Sequence, residues 1–167
     1  MMRRRLMIGS GLALAGLLPA VVPALAAPAQ RGDKVRWPAI TLLDGRMVAA
    51  ESLRDTATVV VFFSTTCPFC KRHNQHLDKL ARATAGRGLQ VIAAAHDRQS
   101  EPVRQYLASQ GYAFEATLDA TPLHAALSER RVIPLTCVID RQGLLREVIP
   151  GEMFEDDVLE LARWARA

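Results

Sequence analysis

Residues 58–63 form a short β-branched and aromatic run without polar alternation, and after Ser64, Thr65 and Thr66 it leads into Cys67-Pro68-Phe69-Cys70. A run of that kind suits a central strand buried on both faces. From Cys67 onward the spacing changes to threes and fours: Cys70, His73, Leu77, Leu80 and Thr84 fall on one helical stripe. Two cysteines separated by two residues, at a strand-to-helix junction, are a reversible dithiol/disulfide candidate.

The remaining chain extends this pattern. Residues 40–43 and 46–48 are apolar runs on either side of Asp44-Gly45, a hairpin turn signal. Residues 51–55 read as a loop or a single helical turn. Gly86 and Gly88 end the helix that starts near Cys67, and residues 89–95 form a second buried strand. Ser100 is read as the N-cap of a helix ended by Gly111, with Val103, Tyr106 and Leu107 on its apolar face. Residues 113–118 are a short alternating segment. Thr121-Pro122 is read as the start of a further helix, with Leu123, Ala126 and Leu127 inward. Residues 135–139 and 144–149 are strands joined by a turn at 140–143. Residues 154–166 close the chain as an amphipathic helix, acidic at its start and basic at its end. The order β-α-β-α-β-α-β-β-α after a hairpin implies an α/β fold: a central mixed sheet with helices on both faces, in three layers.

The first 26 residues stand apart. Arg3, Arg4 and Arg5 precede the uncharged apolar residues 6–18, and Ala24-Leu25-Ala26 is a small-x-small cleavage site. This reads as a secretory signal peptide over residues 1–26, with an uncleaved membrane anchor as the alternative. Three arginines also fit a twin-arginine signal, which we weigh below an ordinary secretory one. Residues 27–36 read as a short tether, and residues 37–167 as the domain. Either export reading places that domain outside the cytoplasm, in the periplasm. A dithiol there stays reduced only with a dedicated electron donor. The leader holds three of the 21 basic residues, so 18 face the 17 acidic ones in the rest. That near-neutral balance gives no argument for nucleic acid.

With a helix starting at Cys67, that sulfur lies among unpaired N–H groups at the positive end of the helix dipole, which favours thiolate. Cys67 is then the attacking nucleophile, and Cys70, one turn on and facing inward, resolves the mixed disulfide. A merely structural staple would close a very short loop and gain little. A zinc site is disfavoured, because no second CxxC or spaced histidine pair completes four ligands; no metal and no cofactor is expected.

The stretch Phe62-Phe63-Ser64-Thr65-Thr66-Cys67-Pro68-Phe69-Cys70 resembles the active site of the thioredoxin superfamily, and its surroundings are similar to the secreted TlpA/ResA branch. Thr41-Leu42-Leu43-Asp44-Gly45-Arg46 is similar to that branch's N-terminal hairpin, and residues 132–143 to its proline-containing strand and turn. The resemblance covers the chain from about Trp37 onward. It implies a thioredoxin-like three-layer fold and thiol:disulfide exchange through Cys67 and Cys70. It also implies that Pro134 is a cis-proline beside the CxxC, and that it leaves Ile133 free to pair with an extended substrate segment. Thr66, Pro68, Phe69, Ile133 and Pro134 become the expected substrate contacts. The implied partners are proteins bearing disulfides or thiols, and a membrane thiol reductase as electron donor. Substrates such as apocytochrome c or copper-site assembly proteins are what the branch suggests.

The chain departs from its relatives at three places. Thr66 replaces the usual tryptophan. Val61 stands where thioredoxin has an acidic residue that helps proton transfer to the buried cysteine. His73 and Gln75 replace glutamate and proline, which puts the usual helix kink in doubt. His73 is a candidate for assisting deprotonation of Cys70 or tuning the disulfide; the competing expectation is a partly solvated histidine near the helix start. Cys137 reads as a buried core thiol. His96 and His124 show no pattern with any partner. Three other functions fit the sequence less well. A DsbA-like oxidant would need a large helical insertion that residues 96–119 have no room for. A thioredoxin-fold copper chaperone using Cys67, Cys70 and a histidine would usually space its cysteines by three. A peroxidase lacks its framing proline and threonine around Cys67.

Overall fold

A computed structural model describes residues 27–166. The signal-peptide reading of residues 1–26 lies outside the described residues. The elements are β1 (Ile40–Thr41), β2 (Met47–Val48), β3 (Ala57–Phe63), α1 (Pro68–Thr84), β4 (Leu89–Ala95), α2 (Ser100–Gln110), β5 (Glu115–Thr117), α3 (Ala120–Leu127), β6 (Leu135–Ile139), β7 (Leu145–Pro150) and α4 (Glu155–Glu160). β1 and β2 make the expected hairpin. The other strands form one mixed sheet in the order β5-β4-β3-β6-β7. β3, β4 and β5 run parallel, while β6 is antiparallel to both β3 and β7.

β3 occupies the centre, and all seven of its residues are buried. The two-residue period of a strand divides them between two cores. Ala57, Val59, Val61 and Phe63 face the layer of α1, α2 and α4, where Leu77, Leu80, Val103, Val158 and Leu161 meet them. Val60 and Phe62 face α3 and the N-terminal hairpin, against Ile40, Leu42, Leu123 and Leu127. The absence of polar alternation in the sequence is therefore the signature of a strand covered on both sides. Val61 pairs with Thr136 and Phe62 with Leu135, which brings the start of β6 level with the end of β3, just before the cysteines.

Four boundaries differ from the sequence expectation. Ser100 is the first residue of α2, and Gln99 takes the cap position. The Ser100 hydroxyl accepts from Arg104 one turn on, at 3.4 Å. α3 starts at Ala120 with Asp119 before it, so Pro122 is its third residue rather than its first. The Asp119 carboxylate accepts the Thr41 N–H at 2.7 Å, so it serves the hairpin instead of capping its own helix. The C-terminal helix is α only over Glu155–Glu160 and continues as a 3₁₀ turn over Leu161–Ala165. Residues 27–36 are not a free tether: the Gly32 N–H donates to the Leu145 carbonyl, Leu145 N–H to the Asp33 carbonyl, and Val35 N–H to the Gly143 carbonyl. The outer edge of β7 at Leu145 supplied the partners that composition alone could not show.

Candidate functional site

Cys67 is the residue immediately before α1, in extended conformation, and Pro68 opens the helix. Proline at the first helical position leaves no N–H to satisfy. The Cys67 sulfur itself takes the capping role by accepting the Cys70 N–H at 3.2 Å. That contact satisfies one of the free N–H groups of the first helical turn with the sulfur in place of an oxygen. Cys67 is part-exposed and Cys70 is fully buried, which is the asymmetry expected of an attacking and a resolving thiol. Burial, and then the hydrogen bond with Cys67, push the Cys70 thiol up to about 12. Cys70 thus stays protonated near neutral pH.

The opposing wall comes from the segment before β6. The Ile133–Pro134 peptide is cis, as the family resemblance implies. Pro134 is buried and its carbonyl accepts the Gly151 N–H at 2.8 Å. Ile133 is half-buried, and Thr66, Pro68 and Phe69 are exposed around Cys67. These site residues therefore gather at one end of the sheet, where β3 ends and β6 begins. Four cavities of about 400 to 760 Å³ are lined by other residues.

His73 is fully buried, so the expectation of a partly solvated side chain does not hold. Its Nδ1 accepts the Met153 N–H at 3.3 Å, and its Nε2 lies 3.2 Å from the Thr136 hydroxyl. An amide N–H only donates, so Nδ1 must present its lone pair. The single proton then sits on Nε2 and is donated to Thr136. Burial, and secondarily the nearby His76, push the imidazole down to about 4. With both nitrogens engaged, His73 has no lone pair left for the Cys70 proton; it ties α1 to β6 and to the loop before α4. Val61 lies across from Thr136 in the same buried layer, which confirms that no carboxylate stands at that position.

Several contributors were not legible in the sequence. Asp97, just past β4, accepts from the Thr65 N–H at 3.1 Å and from the Thr65 hydroxyl, anchoring the loop before Cys67. Its position at the carboxyl end of a parallel strand is the one signal that could have raised it. Arg72 grips Glu152 through two bonds of 2.7 and 2.6 Å, and its guanidinium lies 5.1 Å from the Phe69 ring centre. His96 and His124 do have a partner: each other. Their Nε2 atoms are 3.1 Å apart, and His124 is buried and stacked on Phe62 at 3.7 Å. His124 Nδ1 donates to the Ser128 carbonyl at 3.3 Å, so its Nε2 receives the His96 proton.

Cys137 is fully buried among Val60, Phe62 and Leu135, on the opposite face of the sheet from Cys70, and burial pushes its thiol up to about 12. Alkylation of the native reduced protein should therefore modify Cys67 rapidly and Cys137 only on unfolding. Mass-mapped labelling checks this; native-state labelling of Cys137 as fast as Cys67 would contradict it.

Comparison with known proteins agrees with this architecture. A family model described as "AhpC/TSA family" matches residues 31–148. A curated protein named "Thiol-disulfide oxidoreductase ResA", from Halalkalibacterium halodurans, is 25% identical over 118 residues, 71% of this chain and 67% of that one. Among solved structures, a thiol:disulfide interchange protein of the thioredoxin family from Chlorobium tepidum superposes with a TM-score of 0.70 at 25% identity, covering 84% of this chain and 100% of that one. A secreted thiol-disulfide isomerase from Corynebacterium glutamicum gives a TM-score of 0.71 at 17% identity, covering 80% and 86%.

Proposed function

The chain belongs to the AhpC/TSA family, and from that footing we propose that it is an extracytoplasmic thiol:disulfide oxidoreductase that reduces protein disulfides through Cys67 and Cys70. The observation that carries the reading is the pairing of a part-exposed Cys67, whose sulfur accepts the Cys70 N–H, with a buried Cys70. The Cys67 thiolate attacks one sulfur of a partner disulfide, forming a mixed disulfide and releasing the other sulfur as thiolate. Cys70 then gives up its proton and attacks the Cys67 sulfur. The partner leaves with both thiols, and the two electrons it gained are accounted for by the new Cys67–Cys70 disulfide. Ile133 makes no hydrogen bond to another described residue, which supports its use as a backbone contact for an extended partner segment. Thr66, Pro68, Phe69 and Pro134 border that contact.

Export is supported by the leader pattern in residues 1–26. No helix among the described residues is long and apolar enough to cross a membrane. In an oxidising compartment the cycle needs a donor, so a membrane thiol reductase is the expected source of electrons. Apocytochrome c and copper-site assembly proteins are the substrate classes this reading favours. The direction is tested by the reduction potential: a value near about −270 mV fits a reductant, and one near about −120 mV an oxidant.

The roles of the two cysteines are tested by trapping. Cys70→Ser is expected to accumulate a partner as a mixed disulfide on Cys67, resolved by non-reducing electrophoresis and mass-mapped. Accumulation on Cys70 in the Cys67→Ser control instead would reverse the assignment.

A further inference from the structure

Large apolar side chains stand exposed at Met47, Phe69, Val132 and Phe154, and Phe154, at 83%, is the most open of them. Phe154 occupies the residue before α4, where a serine, threonine, aspartate or asparagine would bond the free helix N–H groups. It makes no such bond. Neither burial nor capping accounts for a phenylalanine there. Yet the segment that carries it is held at three successive residues, by the backbone at Gly151 and Met153 and by the side chain at Glu152. Gly151 donates to the Pro134 carbonyl, Glu152 is gripped by Arg72, and Met153 donates to His73. Arg72 also covers the Phe69 ring, so a fixed ledge runs from the CxxC tip to Phe154.

Beside this ledge lies a groove of about 400 Å³ whose apolar lining is Ile149, Met153, Phe154 and Leu161. Of the carboxylates on its rim, Glu147 and Glu160 are paired with Arg163, which also lines the groove, and Glu152 with Arg72. Asp157 is exposed and pairs with no described cation, and neither does Asp156 beside it. The groove therefore combines an exposed aromatic ring with one unpaired carboxylate on its rim, Asp157.

We propose that this groove is a second contact surface for the protein partner, taking a segment in which an aliphatic or aromatic side chain stands next to a lysine or arginine. The apolar side chain covers Phe154 and Met153, and the cation faces Asp157. The proposal rests on the oxidoreductase reading and divides partner recognition in two. The partner's sulfur meets Cys67, and a neighbouring segment crosses the Arg72–Glu152 pair into the groove. Continuity with the CxxC surface favours this occupant over a second copy of the chain.

Two synthetic peptides, each with one internal disulfide, test it; they differ only in carrying a leucine–lysine or a serine–aspartate flank. The reduced chain is expected to reduce the first with kcat/KM about tenfold above the second. Phe154→Ser installs a capping residue, so it keeps the fold, and it should bring the ratio close to one. Asp157→Lys should lower the ratio by about threefold, through the charge contribution alone. A ratio near one in the wild-type chain, or one unchanged in Phe154→Ser, overturns the proposal. So does a concentration-dependent dimer that Phe154→Ser abolishes, which would assign the groove to a second copy. If the wild-type chain reduces neither peptide, nor the small disulfide DTNB, it is the oxidoreductase reading that fails.

Discussion

Replacing Cys67 by serine is expected to lower the rate of disulfide reduction by at least about a thousandfold, because a hydroxyl stays protonated near neutral pH and is a poor nucleophile toward sulfur. The fold should survive the change. A serine hydroxyl can accept the Cys70 N–H that the Cys67 sulfur accepts at 3.2 Å, and serine is a favoured residue at that helix position. Loss of turnover would therefore report on chemistry rather than on folding. Cys70→Ser should differ in kind: a first attack at close to the normal rate, followed by arrest at the mixed disulfide. Rapid-mixing kinetics on a single disulfide substrate separate the two variants. Turnover retained in Cys67→Ser and abolished at the first step in Cys70→Ser would exchange the two roles.

Lowering the pH from 7 to 4 is expected to weaken the fold, with about 3 kcal/mol of the loss coming from His73 alone. Burial holds its folded-state imidazole at about 4, against an ordinary value of 6.5. Below pH 6.5 the unfolded chain takes up a proton that the folded chain refuses. The contribution is thus fully present above about pH 6.5 and is lost progressively as the pH falls to about 4, where the folded state protonates too. The structural cause is specific: a proton on Nδ1 would confront the Met153 N–H. His124 acts in the same direction, pushed down to about 4 chiefly by burial. Its protonation would set an N–H against the one donated by His96. Urea unfolding across this range measures the slope. His73→Gln can donate and accept in the same place without titrating, so it should remove the His73 share of the pH dependence. A slope identical in the variant and the wild type would show that His73 does not carry it.

How much could be read from the chain depended on the range of the interaction. Residues 58–63 lack polar alternation because two layers cover them, and that requirement is written in every residue of the strand. The stripe from Cys70 to Thr84 repeats at the helical period, and all five of its residues are buried. The proline of the family-like segment is cis and lies at the cysteine end of the sheet. The helix starts were less legible. Thr121-Pro122 reads as a helix start, but α3 begins at Ala120, after Asp119, whose carboxylate is taken by Thr41, 78 residues away in the chain. Ser100 was displaced by one residue, since a cap is a single local contact without a repeating pattern.

His73 marks the boundary between the two kinds of information. The helical period placed it correctly on the buried stripe, one turn past Cys70. Nothing in that period could show that Thr136, 63 residues on, and Met153, 80 residues on, would take its two nitrogens. The same holds for Arg72 with Glu152, and for His96 with His124. Hydrophobic burial is a repeated demand on many residues of one element, so the sequence by itself determined the strand, the helix and the placing of the two cysteines at their junction. A polar pair across the fold is satisfied once, between two residues with no regular separation. Only the tertiary structure decided which partners occupy the imidazole and which side chains hold the loop before Cys67.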